Sequence, residues 1–137
     1  MDAIKVFLDT NVVLDYYTGR MRNNLAEKVV QIGQYPEFEL CISILSAVNV
    51  LYVLKKCTPS LKASDIPKLF QILPMDYKQY LDAQSLDIAD FEDALQIECA
   101  RKNNCKVIVS RDSHMIDKVH KSPIILSPEE FIRRCTE

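Results

Sequence analysis

Apolar positions along the chain alternate between short continuous runs and longer stretches with helical spacing. Ile4 to Leu8 is a β-prone run that stops at the polar cluster Asp9-Thr10-Asn11, the pattern of a strand end running into a helix. Val12 to Tyr17 continues as a helical turn that Gly19 breaks, and Leu25, Val29 and Ile32 carry helical spacing through Asn24 to Gln34, closed by Pro36. Phe38 to Ile42 reads as a second strand. Ser43 is placed to cap a long helix from Ile44 to Lys56, with Leu45, Val48, Leu51 and Tyr52 turned inward.

Beyond Thr58-Pro59-Ser60, Ser64 or Asp65 caps a helix with Pro67 in its first turn and Leu69, Phe70 and Ile72 on its apolar side; Ile72 to Met75 reads alternatively as a strand, which Pro74 weakens. Lys78 to Ser85 has helical character, and Asp87 and Asp90 precede a better helix from Phe91 to Asn103. Lys106 to Ser110 is the clearest strand in the chain and ends at Arg111-Asp112. Ile124 to Leu126 is a last short strand, and Ser127-Pro128-Glu129-Glu130 is a helix start with Ser as cap, Pro at the first position and acids in the first turn.

Strands that alternate with helices, with no room for hairpins, predict an α/β fold: one three-layer domain spanning residues 1–137, with a mostly parallel central sheet covered by helices on both faces. Ligands of such sheets collect beyond the carboxyl ends of the strands, where Asp9 and Asp112 both fall. An acid directly after an apolar strand gains nothing from capping unless the next helix begins at once. Two carboxylates at neighbouring strand ends repel, which raises a pKa or calls for a cation, and Mg²⁺ or Mn²⁺ suits an all-oxygen site with several retained waters. Asp93, in the first turn of the helix opened by Asp90-Phe91-Glu92-Asp93, supplies a third acid. For Asp90 and Glu92 helix capping and dipole compensation are sufficient explanations. Asp15 either supports the site from behind or faces solvent.

Composition narrows the field. With 137 residues, 48% apolar and 26% charged, the chain fits one folded domain. Its formal charge of −2 provides no global positive field for nucleic acid, so any RNA contact is local. The basic pairs Arg20 and Arg22, Lys55 and Lys56, Arg101 and Lys102, Lys118 and Lys121, and Arg133 and Arg134 read first as solvated faces. Five cysteines without a C-x-x-C pair read as reduced, mostly buried side chains. No apolar run approaches a membrane span and no signal-peptide pattern opens the chain, so a cytoplasmic location is expected.

Phe7-Leu8-Asp9-Thr10-Asn11-Val12-Val13-Leu14-Asp15 resembles the opening motif of PIN domains, the fold shared by VapC-type toxins and other metal-dependent ribonucleases. Asp90-Phe91-Glu92-Asp93-Ala94-Leu95-Gln96, followed by Val107-Ile108-Val109-Ser110-Arg111-Asp112, is similar to the family's acidic helix and the strand after it. Leu126-Ser127-Pro128-Glu129-Glu130-Phe131 resembles the closing motif of a bacterial branch. The resemblance implies a divalent-metal-dependent endoribonuclease in which Asp9, Asp93 and Asp112 hold Mg²⁺ or Mn²⁺, with Asn11, Asp15, Ser43, Asp90 and Glu92 as supporting candidates.

Two departures stand out. The family's second acid, a glutamate on the helix after the second strand, corresponds to Asn49, which would orient ligands without adding charge. Met115-Ile116 stands where many relatives have Asp-Phe, and the intervening His114 reads as solvent-facing. The toxin resemblance implies an RNA substrate, a small antitoxin partner and a homodimer. The competing expectation is a catalytically weakened PIN fold that binds RNA or a protein without cutting. A phosphotransferase using Asp9 as nucleophile would want an acid where Asn11 stands, and no cysteine has a histidine nearby in sequence.

Overall fold

The computed structural model describes residues 2–19, 24–112, 115 and 122–137. Five strands form one all-parallel sheet in the order β3-β2-β1-β4-β5, where β1 is Ile4–Leu8, β2 Phe38–Ser43, β3 Gln71–Leu73, β4 Val107–Val109 and β5 Ile124–Leu126. Six α-helices accompany it among the described residues: α1 Thr10–Thr18, α2 Leu25–Gly33, α3 Ile44–Leu54, α4 Tyr77–Ala83, α5 Phe91–Lys102 and α6 Pro128–Thr136. None of them is long and apolar enough to cross a membrane.

The two faces of the sheet follow from the period-two alternation of strand side chains. Val6, Leu8, Leu40, Ile42, Val109 and Leu126 join the larger core with residues of α1, α2, α3 and α6. Phe7, Cys41, Ile108 and Ile125 point the other way and pack with Ile97, Cys99 and Ala100 of α5 and with Met115. Both faces are therefore buried, as expected of parallel strands joined by helical crossovers. Cys41, Cys99 and Cys105 are buried and Cys57 and Cys135 exposed, all as free thiols.

Several expected boundaries change. The segment after Asp65 is not a helix. Ile66–Lys68 makes only a 3₁₀ turn, and Gln71–Leu73 pairs with Cys41 to Ser43 as edge strand β3, so Ile72 belongs to a strand that Pro74 terminates. Apolar spacing alone does not separate a short buried strand from a helix segment, and the neighbouring strand decided the outcome. On α3 the inward residues are Ser46, Ala47, Val50 and Leu54, whereas Val48 and Tyr52 are exposed. The helix is apolar nearly all round, so its period left the buried face ambiguous. Met115 is buried in the core. Ser113, His114, Ile116, Arg20, Arg22, Lys118 and Lys121 lie outside the described residues.

One ion pair ties the first helix to the end of β4. Asp15, 2% exposed on α1, meets Arg111 through Nε to Oδ2 at 2.6 Å and Nη2 to Oδ1 at 3.4 Å. It therefore faces inward and fixes the backbone next to Asp112. Gly19 ends α1 at φ 65, a left-handed conformation that suits glycine, and its N–H bonds the Asp15 carbonyl at 2.8 Å. Replacing Arg111 by Met keeps the stem but removes one cationic partner of a buried carboxylate; urea unfolding should show a loss of about 1–3 kcal/mol, less than for a fully buried pair because the Arg111 side chain is partly solvated.

Candidate acidic site

The strand ends set the site. Asp9 follows β1 directly and is 4% exposed. Its N–H bonds the Val109 carbonyl at 3.0 Å, which extends the β1–β4 pairing by one residue and places Asp9 beside Ser110. Because α1 starts at Thr10 and not two residues later, Asp9 is also the helix cap: Oδ1 accepts from the Thr10 N–H at 2.9 Å. The condition under which capping contributes at this position, a helix that begins at once, is met. The second oxygen has a different partner, since Oδ2 accepts from Ser110 Oγ at 3.0 Å. Ser110 Oγ in turn accepts from the Asp112 N–H at 3.0 Å, so one buried hydroxyl links two acids at neighbouring strand ends.

Asp93 enters from α5. Asp90 caps that helix, with Oδ1 accepting from the Asp93 N–H at 3.2 Å. Asp9, Thr10, Asn11, Asn49, Asp90, Glu92, Asp93 and Asp112 line one cavity of about 290 Å³ together with Val53. Asn11 stands at its exposed rim. Asn49 faces it as well, and its Nδ2 donates to Glu92 Oε1 at 3.0 Å. Glu92 thus has a partner beyond the helix dipole. Among the described residues, none that lines this cavity is a lysine or arginine.

Ser43 and Asp15 are not cavity residues but stand behind it. Ser43, fully buried at the end of β2, caps α3 by accepting from the Ser46 N–H at 3.0 Å. Its hydroxyl also donates to Ser46 Oγ at 3.2 Å. From there a buried polar chain continues: Thr10 Oγ1 and Ser46 Oγ are 2.6 Å apart, and Gln96 Nε2 donates to both, at 3.0 and 2.6 Å. Gln96 therefore pins α5 to the starts of α1 and α3. Thr10, Ser46, Gln96 and Ser110 were absent from the sequence-based site. The available signal was small polar residues recurring where strands meet helices.

The carboxylates bear the electrostatic consequence of this crowding. Burial raises the Asp9 pKa above its ordinary value of 3.8, against the hydrogen bonds from Ser110 and Thr10, and the charges of Asp112 and Glu92 add to the rise. Asp93 is pushed up to about 8, first by burial, then by a hydrogen bond with Asp112 and by the charges of Asp9, Asp90 and Asp112. Two carboxyl groups in mutual contact must share a proton or receive a cation. The donor chemistry suits a hard divalent ion: carboxylate oxygens in a cleft open to water. Among the described residues no three His, Cys, Asp or Glu side chains stand close enough together to hold a metal ion by themselves, so an ion here would need water to complete its shell, as Mg²⁺ commonly does.

Several described basic residues are engaged in ion pairs away from this cavity. Arg101 pairs with Glu98, Lys102 with Asp82 at 2.8 Å, and Arg133 and Arg134 with Glu130 on α6.

Comparison with known proteins agrees with this geometry. A family model described as PIN domain matches residues 5–114. The protein named Ribonuclease VapC1 from Aquifex aeolicus is 32% identical over 145 residues, which cover 98% of this chain and 97% of that protein. A toxin-antitoxin complex from Klebsiella pneumoniae contains a chain that superposes with a TM-score of 0.69 at 17% identity, covering 90% of this chain and 97% of its own. VapBC2 from Rickettsia felis, solved with a DNA fragment from its promoter, gives a TM-score of 0.62 at 16% identity over 90% of this chain and 98% of its own. The family model, the extent of the identity and the shared fold together establish that this chain belongs to the PIN domain family.

Proposed function

We propose that the chain is a divalent-metal-dependent endoribonuclease of the VapC toxin type, acting in the cytoplasm on RNA phosphodiesters. The observation that carries the reading is the convergence of Asp93 and Asp112 beside buried Asp9 on one cavity, which Asp90 and Glu92 also line. The relative named as a ribonuclease, which matches along nearly the whole chain, supports the choice of RNA.

In this reading Asp9, Asp93 and Asp112 hold Mg²⁺ or Mn²⁺ directly or through water. When bound, such an ion neutralises the scissile phosphate and acidifies the attacking water. Ser110 orients Asp9 and the Asp112 backbone. Gln96, Thr10 and Ser46 keep the three helix starts in register, so that the acids converge without rearrangement on binding. Asn11 and Asn49 at the cavity wall orient ligands. A small antitoxin that lays a helix or tail over the acids and offers them a basic group is the partner this reading implies, since the acids themselves attract a cationic side chain. Homodimerisation across the exposed α3 residues Ile44, Val48 and Tyr52 belongs to the same proposal.

Single-stranded RNA incubated with the wild type and Mn²⁺ should be cut, and Asp9→Asn, Asp93→Asn and Asp112→Asn should each slow cleavage about a hundredfold or more. Equal rates in all four proteins would defeat the proposal. Because Asn49 leaves the α3 position uncharged, a binding module that does not cut is the second reading, and thermal unfolding separates the two. Millimolar Mn²⁺ should raise the wild-type midpoint, by about 2.7 kcal/mol in free energy at a hundred times the dissociation constant. No shift would favour the binding module. Asp93→Asn should unfold at a higher temperature than the wild type without metal, since it relieves the contact with Asp112, and should lose most of the metal-induced rise; a lower metal-free midpoint would contradict the repulsion argument.

A further inference from the structure

Asn49 stands where the resemblance expects a glutamate, and that position is not left without a charge. Glu92, in the first turn of α5, reaches across to it: Asn49 Nδ2 donates to Glu92 Oε1 at 3.0 Å, and both side chains line the cavity that contains Asp9, Asp93 and Asp112. We propose that Glu92 supplies the fourth acid of the metal site, with its carboxylate held in place of the missing α3 glutamate by Asn49, which acts as a positioning residue. The inference rests on the metal-dependent reading above.

Helix-dipole compensation does not account for this arrangement. Asp90 and Asp93 already place acids at the start of α5, and compensation requires no lateral bond to a side chain 43 positions away on another helix. The amide explains the acid and the acid explains the amide. Carboxylates at both 49 and 92, within hydrogen-bond reach, would repel each other, whereas an amide N–H attracts. One Asn donor occupies one lone-pair site of a carboxylate that has about four, and leaves the remainder for a cation or its water. Glu92 also lies near enough for its charge to disfavour ionisation of Asp9. The acid count of the site is thus preserved while one charge moves from α3 to α5.

The test follows the Mn²⁺-induced rise in thermal midpoint of the intact chain as a function of Mn²⁺ concentration, with RNA cleavage as a parallel readout. Glu92→Gln should weaken the apparent Mn²⁺ affinity about tenfold, and the exchange Asn49→Glu with Glu92→Gln should return it to within about threefold of the wild type. Glu129→Gln, which removes an acid from the first turn of α6, should leave it unchanged. A role confined to helix stability would lower the metal-free midpoint of Glu92→Gln without changing the concentration dependence, and that result overturns the proposal. So does failure of the exchange to restore affinity when its metal-free midpoint matches that of Glu92→Gln. If Asp93→Asn abolishes the Mn²⁺ response while Glu92→Gln retains it in full, only the role of Glu92 falls. A wild type with no Mn²⁺ response removes the metal site itself, and this inference with it.

Discussion

Asp9 is a carboxylate almost removed from water at the carboxyl end of the sheet's central strand, and the other acids crowd toward it from the neighbouring strand and from α5. Burial alone favours the neutral form of such a group. Two hydrogen bonds oppose that tendency, one from the first N–H of α1 and one from Ser110. The parallel sheet makes the crowding possible, because it delivers β1 and β4 to the same edge with matched register and places the starts of α1, α3 and α5 around them.

Around the acids lies a second layer with no formal charge. Ser43, Ser46, Thr10 and Gln96 form a continuous buried chain that joins the starts of α1 and α3 to the middle of α5. Gln96 Nε2 is bonded while its Oε1 is buried without a hydrogen-bond partner among the described residues, and sliding any of these helices would strand the donor as well. Asp15 and Arg111 add the same constraint from the far side of α1. The acids can therefore be brought together and held before any cation arrives, at a cost in metal-free stability borne by the core on both faces of the sheet.

Asn49, at the position where the resemblance implies a glutamate, acquires a different meaning in this setting. Considered along the chain it is a lost charge. In the folded protein it is a hydrogen-bond donor facing an acid from another helix, and a site's affinity for a cation depends on the charge assembled in space rather than on which element contributes each carboxylate.

Local pattern was sufficient for the alternation of strands and helices, the parallel sheet, and the placement of Asp9 and Asp112 at strand ends and Asp93 at a helix start, because each depends on residues within a few positions of one another. It misjudged α3, whose uniformly apolar surface hides its buried face, and it favoured a helix where β3 forms, because three residues acquire strand character only beside β2. Tertiary structure alone decided the bonds of Asn49 to Glu92, of Gln96 to Ser46 and Thr10, of Asp15 to Arg111 and of Ser110 to Asp9, which join residues 43, 50, 86, 96 and 101 positions apart. Sequence proximity carries the propensity to form an element. Which side chains meet between elements is set by how the helices pack on the sheet, and there a glutamine, a threonine and two serines became part of the site.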